Sequence, residues 1–278
     1  MNKIKFSKMH GLGNDFMVVD ATAEAFSLTA QQINYLGNRK TGVGFDQLLV
    51  VEPADTAGVD FNYRIFNTDG SEVEHCGNGA RCFAKFVKDK GISNKKQLIV
   101  KVKKGLISIR YQDDDHIEVD MGQPVLTPSE VPFMYSPDVY QNRYELVLGK
   151  DKLPASVLSM GNPHVIFFVS NLWQLSLTEL GTIIQQSSYF PQSVNVNFVE
   201  IIDKSHIELR TYERGVGETD ACGTGACASA FAAAEIGAAK LPISVKMRGG
   251  ELAIHIDEKQ HLFMTGPARW AFDAEITY

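Results

Sequence analysis

Two cysteines stand out by their surroundings. "RIFNTDGSEVEHCGNGA" (64–80) aligns without a gap on "RTYERGVGETDACGTGA" (210–226), so Cys76 and Cys222 each open a Cys-Gly-x-Gly-Ala run at an offset of 146. Arg64 then meets Arg210, Phe66 meets Tyr212, Glu72 meets Glu218 and Glu74 meets Asp220. In both copies a segment follows that reads as a helix. A thiol at a helix start is biased toward thiolate, because the first backbone N–H groups lack partners and the helix dipole favours negative charge. Those N–H groups also form an anion site. Gly77, Gly79, Gly223 and Gly225 carry no β-carbon, which would let a carboxylate approach them. If one carboxylate lies between two such starts, a thiol sits on each face of its α-carbon. One thiolate facing one thiol suits removal of an α-proton on one face and its replacement on the other, with aimed N–H donors stabilising the enolate-like intermediate. No lysine motif calls for pyridoxal phosphate, and no other cofactor is expected.

Other fates for the thiols remain open. Cys82 and Cys227, inside the helices and without a repeated context, read as core residues. A zinc site calls for more ligands than Cys-x5-Cys and Cys-x4-Cys provide, so no metal is expected. A redox or sensor dithiol competes seriously for Cys76 and Cys222, since two thiols facing one cleft could oxidise.

The rest of the chain repeats in register with the cysteines. "GNDFMVV" (13–19) lies over "GNPHVIF" (161–167), "QLLVVE" (47–52) over "NVNFVE" (195–200), and "KGLISI…VDMGQP" over "GGELAI…FMTGPA". Each copy reads as short strands with turns between them and one marked helix. In the first copy Ala80, Phe83, Ala84 and Val87 fall at helical spacing and the helix stops near Gly91. In the second, "ACASAFAAAEIGAAK" is small and apolar nearly all round, which predicts burial on most sides. The expected fold is α/β of the α+β type: two pseudo-symmetric domains from internal duplication, each a strand-rich sheet or barrel around a central helix. Residues 1–121 form the first domain and 122–266 the second, with the proline-bearing stretch 121–133 as junction. If the copies face each other about a pseudo-twofold axis, the active site lies in the inter-domain cleft; beads with unrelated sites are the alternative.

Composition sets the outer bounds. The chain has 278 residues, 44% apolar and 22% charged, with a formal charge of −6. That is the make-up of a soluble globular protein with no evident nucleic-acid partner. Lys95, Lys96, Lys101, Lys103 and Lys104, beside "LIVKVKK", read as the solvated face of a strand. No signal-like N-terminus or membrane-length apolar run is apparent, and four cysteines are too few for a secreted disulfide framework, so a cytoplasmic protein without a membrane partner is expected.

The motifs "KMHGLGNDF", "GFDQLL", "RIFNTDGSEVEHCGNGARCFA", "SMGNPH", "YERGVGETDACGTGACA" and "MTGPA" together resemble the diaminopimelate epimerase family over essentially the whole length. The resemblance implies cofactor-independent interconversion of LL- and meso-diaminopimelate in lysine and peptidoglycan precursor synthesis. It also implies a homodimer and a C-terminal segment, 267–278, that packs back on the first domain. Carried over by position, Cys76 and Cys222 are the acid/base thiols, and Gly77, Asn78, Gly223 and Thr224 the cradle for the reacting carboxylate. Asn14, Gln47, Asn67, Asn162, Asn195, Glu213 and Arg214 hold the substrate's polar ends, with His164 and Glu213 supporting catalysis. Arg214 offers a fork to a second carboxylate. Proline lacks one, which separates this reading from a proline or hydroxyproline racemase on a similar scaffold. A carboxylate at Glu74, beside His75, would raise the Cys76 pKa.

Overall fold

The computed structural model describes residues 3–73, 76–103, 105–113 and 115–278; Glu74, His75 and Lys104 lie outside them. The chain divides into two compact units, residues 1–120 with 265–278, and 121–264.

The first unit begins with β1 (Lys3–Gly11), β2 (Asn14–Asp20), α1 (Ala30–Gly37), β3 (Gln47–Pro53) and β4 (Phe61–Asn67). It continues with α2 (Gly77–Asp89), β5 (Gln97–Val102), β6 (Gly105–Tyr111) and β7 (His116–Asp120). The second unit runs through β8 (Tyr144–Leu148), β9 (Asp151–Ser159), β10 (Pro163–Phe168), α3 (Leu177–Gln185), β11 (Asn195–Ile201) and β12 (His206–Glu213). Then come β13 (Gly217–Thr219), α4 (Gly223–Glu235), β14 (Ile243–Met247), β15 (Gly250–Ile256) and β16 (Leu262–Pro267). A last strand, β17 (Arg269–Thr277), belongs to the first unit, where it pairs antiparallel with β1.

The duplication is visible in the strand pairing. β1 to β6 pair in sequence as antiparallel, parallel, antiparallel, parallel, antiparallel. β9, β10, β11, β12, β14 and β15 repeat the same order. Each unit closes its strands on one helix. α2 packs against β1, β2, β3, β6 and β7, with Ala80, Phe83, Ala84 and Val87 all fully buried. It ends at Asp89, and Gly91 turns the chain at φ +67°. α4 packs against strands β9 to β12, β14 and β15, and every residue from Gly225 to Ala233 is buried. Small side chains let α4 lie close to the strands, so its burial comes from proximity rather than bulk.

Two expectations are revised or refined. Residues 121–133 are not a free junction: Val125 bridges to Ser159, and Val131 and Phe133 join the core of the second unit with Tyr144, Val157 and Phe190. Among the described lysines of the basic run, Lys95 pairs with Asp60 and Lys101 with Asp55, and Lys103 donates to the Glu72 backbone carbonyl, so part of that face is tied down by surface contacts.

Candidate active site

Cys76 and Cys222 occupy the same position in their units. Each is the N-cap residue of the buried helix, in extended backbone conformation (φ −144°, ψ 110° and φ −124°, ψ 109°). Each carbonyl accepts the first intrahelical bond, from Ala80 and Ala226. Each sulfur accepts the N–H of the third helical residue, Gly79 or Gly225, at 3.4 Å in both units. The thiol thus takes the place that Ser or Asp fills at an ordinary helix start. The bond and the positive end of the helix dipole each favour negative charge on a sulfur, as one contribution among several.

Two of the four glycines, Gly79 and Gly225, act differently from expectation. A β-carbon on Gly79 would lie 2.4 Å from the Tyr63 hydroxyl, and one on Gly225 would lie 2.7 Å from Asn197 Oδ1. The missing side chains face the strand floor beneath the helix, so these two glycines let the helix start seat deeply; they do not open a path for ligand.

In the first unit, Asn14 lies at the start of β2. Its Oδ1 receives the Cys76 thiol at 3.8 Å and the Asn78 amide at 3.5 Å, and its Nδ2 donates to Asp46 at 2.9 Å. Asn78 Oδ1 accepts from Arg81 at 2.9 Å, and the fully buried Arg81 also donates to the Pro267 carbonyl at 3.1 Å. Gln47 and Asn67 are register partners on β3 and β4; Gln47 Nε2 donates to Asn67 Oδ1 at 3.1 Å. The other end of that amide, Gln47 Oε1, is buried with no hydrogen-bond donor among the described residues. An orphan acceptor at this position fits an ammonium group.

In the second unit, Cys222 is 5% exposed and lies 3.5 Å from the Thr224 hydroxyl. Burial pushes its pKa well above the usual thiol range, and the adjacent Glu213 carboxylate pushes it further, against the Thr224 and Gly225 donors. Glu213 itself accepts from Thr219 at 2.5 Å. Asn195 does not present its amide outward. It is buried, its Oδ1 accepts the Arg214 backbone N–H at 2.9 Å, and its Nδ2 donates to the Pro163 carbonyl at 3.1 Å. Its place in the geometry is to hold the Arg214 turn. The exposed Arg214 guanidinium reaches the Gln192 carbonyl at 3.0 Å through one nitrogen, leaving the rest of the fork for a carboxylate.

His164 is fully buried, its Nε2 3.0 Å from Asn162 Oδ1 and its Nδ1 3.1 Å from Asn197 Nδ2. Burial pushes its pKa down to about 3, with the Arg214 charge adding to the effect and the Asn197 bond opposing it. The ring is therefore neutral at physiological pH, and it orients Asn162. The sequence reading missed Asp46, Arg81, Asn197 and Thr219. Asn197 had a legible signal, since it lies two residues after Asn195 on a strand and so shares its face.

Among the described residues no helix is long and apolar enough to cross a membrane. Comparison with known proteins gives a consistent result. A sequence model described as diaminopimelate epimerase matches residues 6–127 and 156–271. The chain is 48% identical over 275 residues to a diaminopimelate epimerase of Chromobacterium violaceum, covering 99% of both chains. It is 46% identical over 274 residues to one of Stutzerimonas stutzeri, covering 98% of this chain and 99% of that one. Among solved structures, a PhzF-family phenazine biosynthesis protein of Bacillus anthracis matches at TM-score 0.71, with 18% identity and full coverage of both chains. A hydroxyproline epimerase of Agrobacterium vitis matches at TM-score 0.66 and 13% identity over 99% of this chain and 92% of that one. Those two likenesses carry the fold, while the sequence relatives carry the family. With a family model and full-length relatives in agreement, the chain belongs to the diaminopimelate epimerase family.

Proposed function

We propose that the protein interconverts LL- and meso-diaminopimelate by two-base proton transfer at one α-carbon, with Cys76 and Cys222 as the exchanging groups. The observation that carries this reading is the pair of thiols, each the N-cap of an equivalent buried helix and each receiving the N–H of the third helical residue at 3.4 Å. A proton must leave carbon to one sulfur and arrive from the other. Cys222, held protonated by burial and by Glu213, is supported as the acid of the substrate-free enzyme. In the reverse direction the two exchange roles, as two-base chemistry requires.

The carboxylate next to the reacting carbon takes on a second negative charge as the proton leaves. The first-turn N–H groups at Gly77 and Asn78, and at Gly223 and Thr224, are aimed donors for it. No cofactor is needed to stabilise that charge, and none enters the reaction as proposed. The remaining polar groups match the other features of a diamino dicarboxylate: Gln47 Oε1 for an ammonium, the Arg214 fork and Asn162 for the distal carboxylate, and Asn14 and Asn67 for the orientation of Cys76 and Gln47. Lysine and peptidoglycan precursor synthesis in the cytoplasm and a homodimeric assembly complete the reading, on the strength of the family. Incubation with LL-diaminopimelate in deuterium oxide is expected to place deuterium at the α-carbon, with Cys76→Ala and Cys222→Ala inactive. Full turnover by either variant, or faster turnover of proline than of diaminopimelate, defeats the proposal; disulfide reduction without α-proton exchange would favour the redox reading.

A further inference from the structure

The two units carry different chemistry at equivalent positions. In the first, strand register aligns Phe16 with Gln47 and Leu49 with Ile65; in the second it aligns His164 with Asn195 and Asn197 with Thr211. The repeat places His164 over Phe16, Asn197 over Leu49 and Thr211 over Ile65. Both sets lie beneath a cysteine-bearing helix start: the absent β-carbon of Gly79 faces Tyr63 and Leu49, and that of Gly225 faces Asn197 and Thr211. At these three positions one copy carries Phe, Leu and Ile, the other three buried polar side chains. Buried polar groups are retained without penalty to the fold only when they are connected.

Here they are. The Thr211 hydroxyl donates to Asn197 Oδ1 at 3.0 Å. Asn197 Nδ2 lies 3.2 Å from the Val165 carbonyl, 3.3 Å from the Asn195 carbonyl and 3.1 Å from His164 Nδ1. Carbonyl oxygens only accept, so the amide edge toward them must be the NH2 group. His164 Nδ1 then faces a donor and carries no proton. The single ring proton of neutral His164 sits on Nε2 and is donated to Asn162 Oδ1 at 3.0 Å. With its oxygen held from below, half-buried Asn162 keeps its NH2 hydrogens as the open end of the amide.

We propose that Asn197 is a positioning residue: by fixing the His164 tautomer it turns Asn162 into a pure donor toward a substrate carboxylate. This rests on the diaminopimelate reading for the identity of the ligand, and on the second unit alone for the geometry. Thr211 secures the orientation of Asn197. At the equivalent positions the first unit carries apolar Phe16, Leu49 and Ile65, whose side chains can form no such relay.

The test uses the full-length protein labelled with 15N-histidine. Long-range 1H–15N correlation reports which ring nitrogen carries the proton, and the His164 signals are identified by their loss in His164→Phe. The wild type is expected to show the Nε2–H tautomer. Asn197→Asp places acceptor oxygens against Nδ1; the ring proton is expected to move there, and KM for diaminopimelate to rise roughly tenfold with kcat changed less than about threefold, the scale of one lost donor. A wild-type ring with Nδ1–H, or an Asn197→Asp protein with unchanged tautomer and KM, overturns the proposal. If Asn197→Asp does not fold, the wild-type spectrum alone decides. A protein with the Nε2–H tautomer that exchanges no α-proton of diaminopimelate instead overturns the functional reading, and with it the substrate half of this one.

Discussion

The Tyr63 hydroxyl offers a sharp test of how the helix start is seated. The side chain is almost wholly buried, its ring packs on Phe83 with centroids 4.6 Å apart, and its oxygen has no hydrogen-bond partner among the described residues. Leaving a buried hydroxyl unsatisfied costs about 1–3 kcal/mol, and Tyr63→Phe removes that cost while keeping the ring contact. The variant should therefore be more stable by about 1 kcal/mol, or about 2–4 °C in the melting of the first unit. The same oxygen would lie 2.4 Å from a β-carbon at Gly79, so Gly79→Ala alone forces a clash that should cost about 1–3 kcal/mol, more than the helix propensity of alanine returns. Combining the changes removes the atom that clashes. The double variant should regain most of the loss, giving a coupling energy of about 1 kcal/mol or more in a double-mutant cycle. Urea unfolding followed by fluorescence and by scanning calorimetry measures all four proteins. Additive effects, or destabilisation by Tyr63→Phe, would refute the reasoning, since either would mean that the hydroxyl has a stabilising partner.

Other expectations follow from the same contacts. Burial pushes the Cys82 thiol up to about 12, so the unfolded chain releases its proton first and stability should fall as pH rises from about 9 toward 12, by about 1.4 kcal/mol per unit from this group; Cys82→Ala should flatten that slope in denaturation series. Native-state alkylation at pH 8 should modify partly exposed Cys76 well before Cys82, and peptide mapping that finds Cys82 first would contradict the burial argument. Glu213→Gln removes a negative charge beside Cys222 and should lower its pKa, seen as faster alkylation of Cys222 at neutral pH; slower alkylation would reverse the assigned cause. The Asp15 carboxyl is pushed up by burial but brought down to about 2 by Arg39 and Lys8, so its contribution is present above about pH 4 and fades as pH falls toward 2; Arg39→Ala should raise the acid-unfolding midpoint.

What could be read in the sequence was whatever recurred at a fixed offset. The cysteines, the helices behind them and the paired strands each appear twice, and a repeat needs no knowledge of contacts to be seen. Orientation was harder to read. Gly79 is visibly a residue without a side chain, but only the strand beneath it reveals that the empty side faces Tyr63 rather than a ligand. Asn195 and Arg214 both look like ligand groups in the sequence, and the backbone bond between them shows that one supports the other. The prolines of 121–133 read as a boundary because proline breaks regular elements, although Val131 and Phe133 between and after them are core residues. Arg81 carries no local sign that its guanidinium lies buried, for beyond its helix neighbour Asn78 it donates to the carbonyl of Pro267, 186 residues away.

The pairing of β1 with β17 has a bearing on synthesis. The strand that starts the first unit finds its outer neighbour, from Lys3 beside Thr277 to His10 beside Arg269, only after the whole second unit has been made. The second unit is contiguous and can complete its core during elongation, whereas the earlier-made unit must wait, with β1 lacking this partner, until β17 has been made. Loss of β17 would therefore damage the strand that opens the first unit and leave the second unit whole.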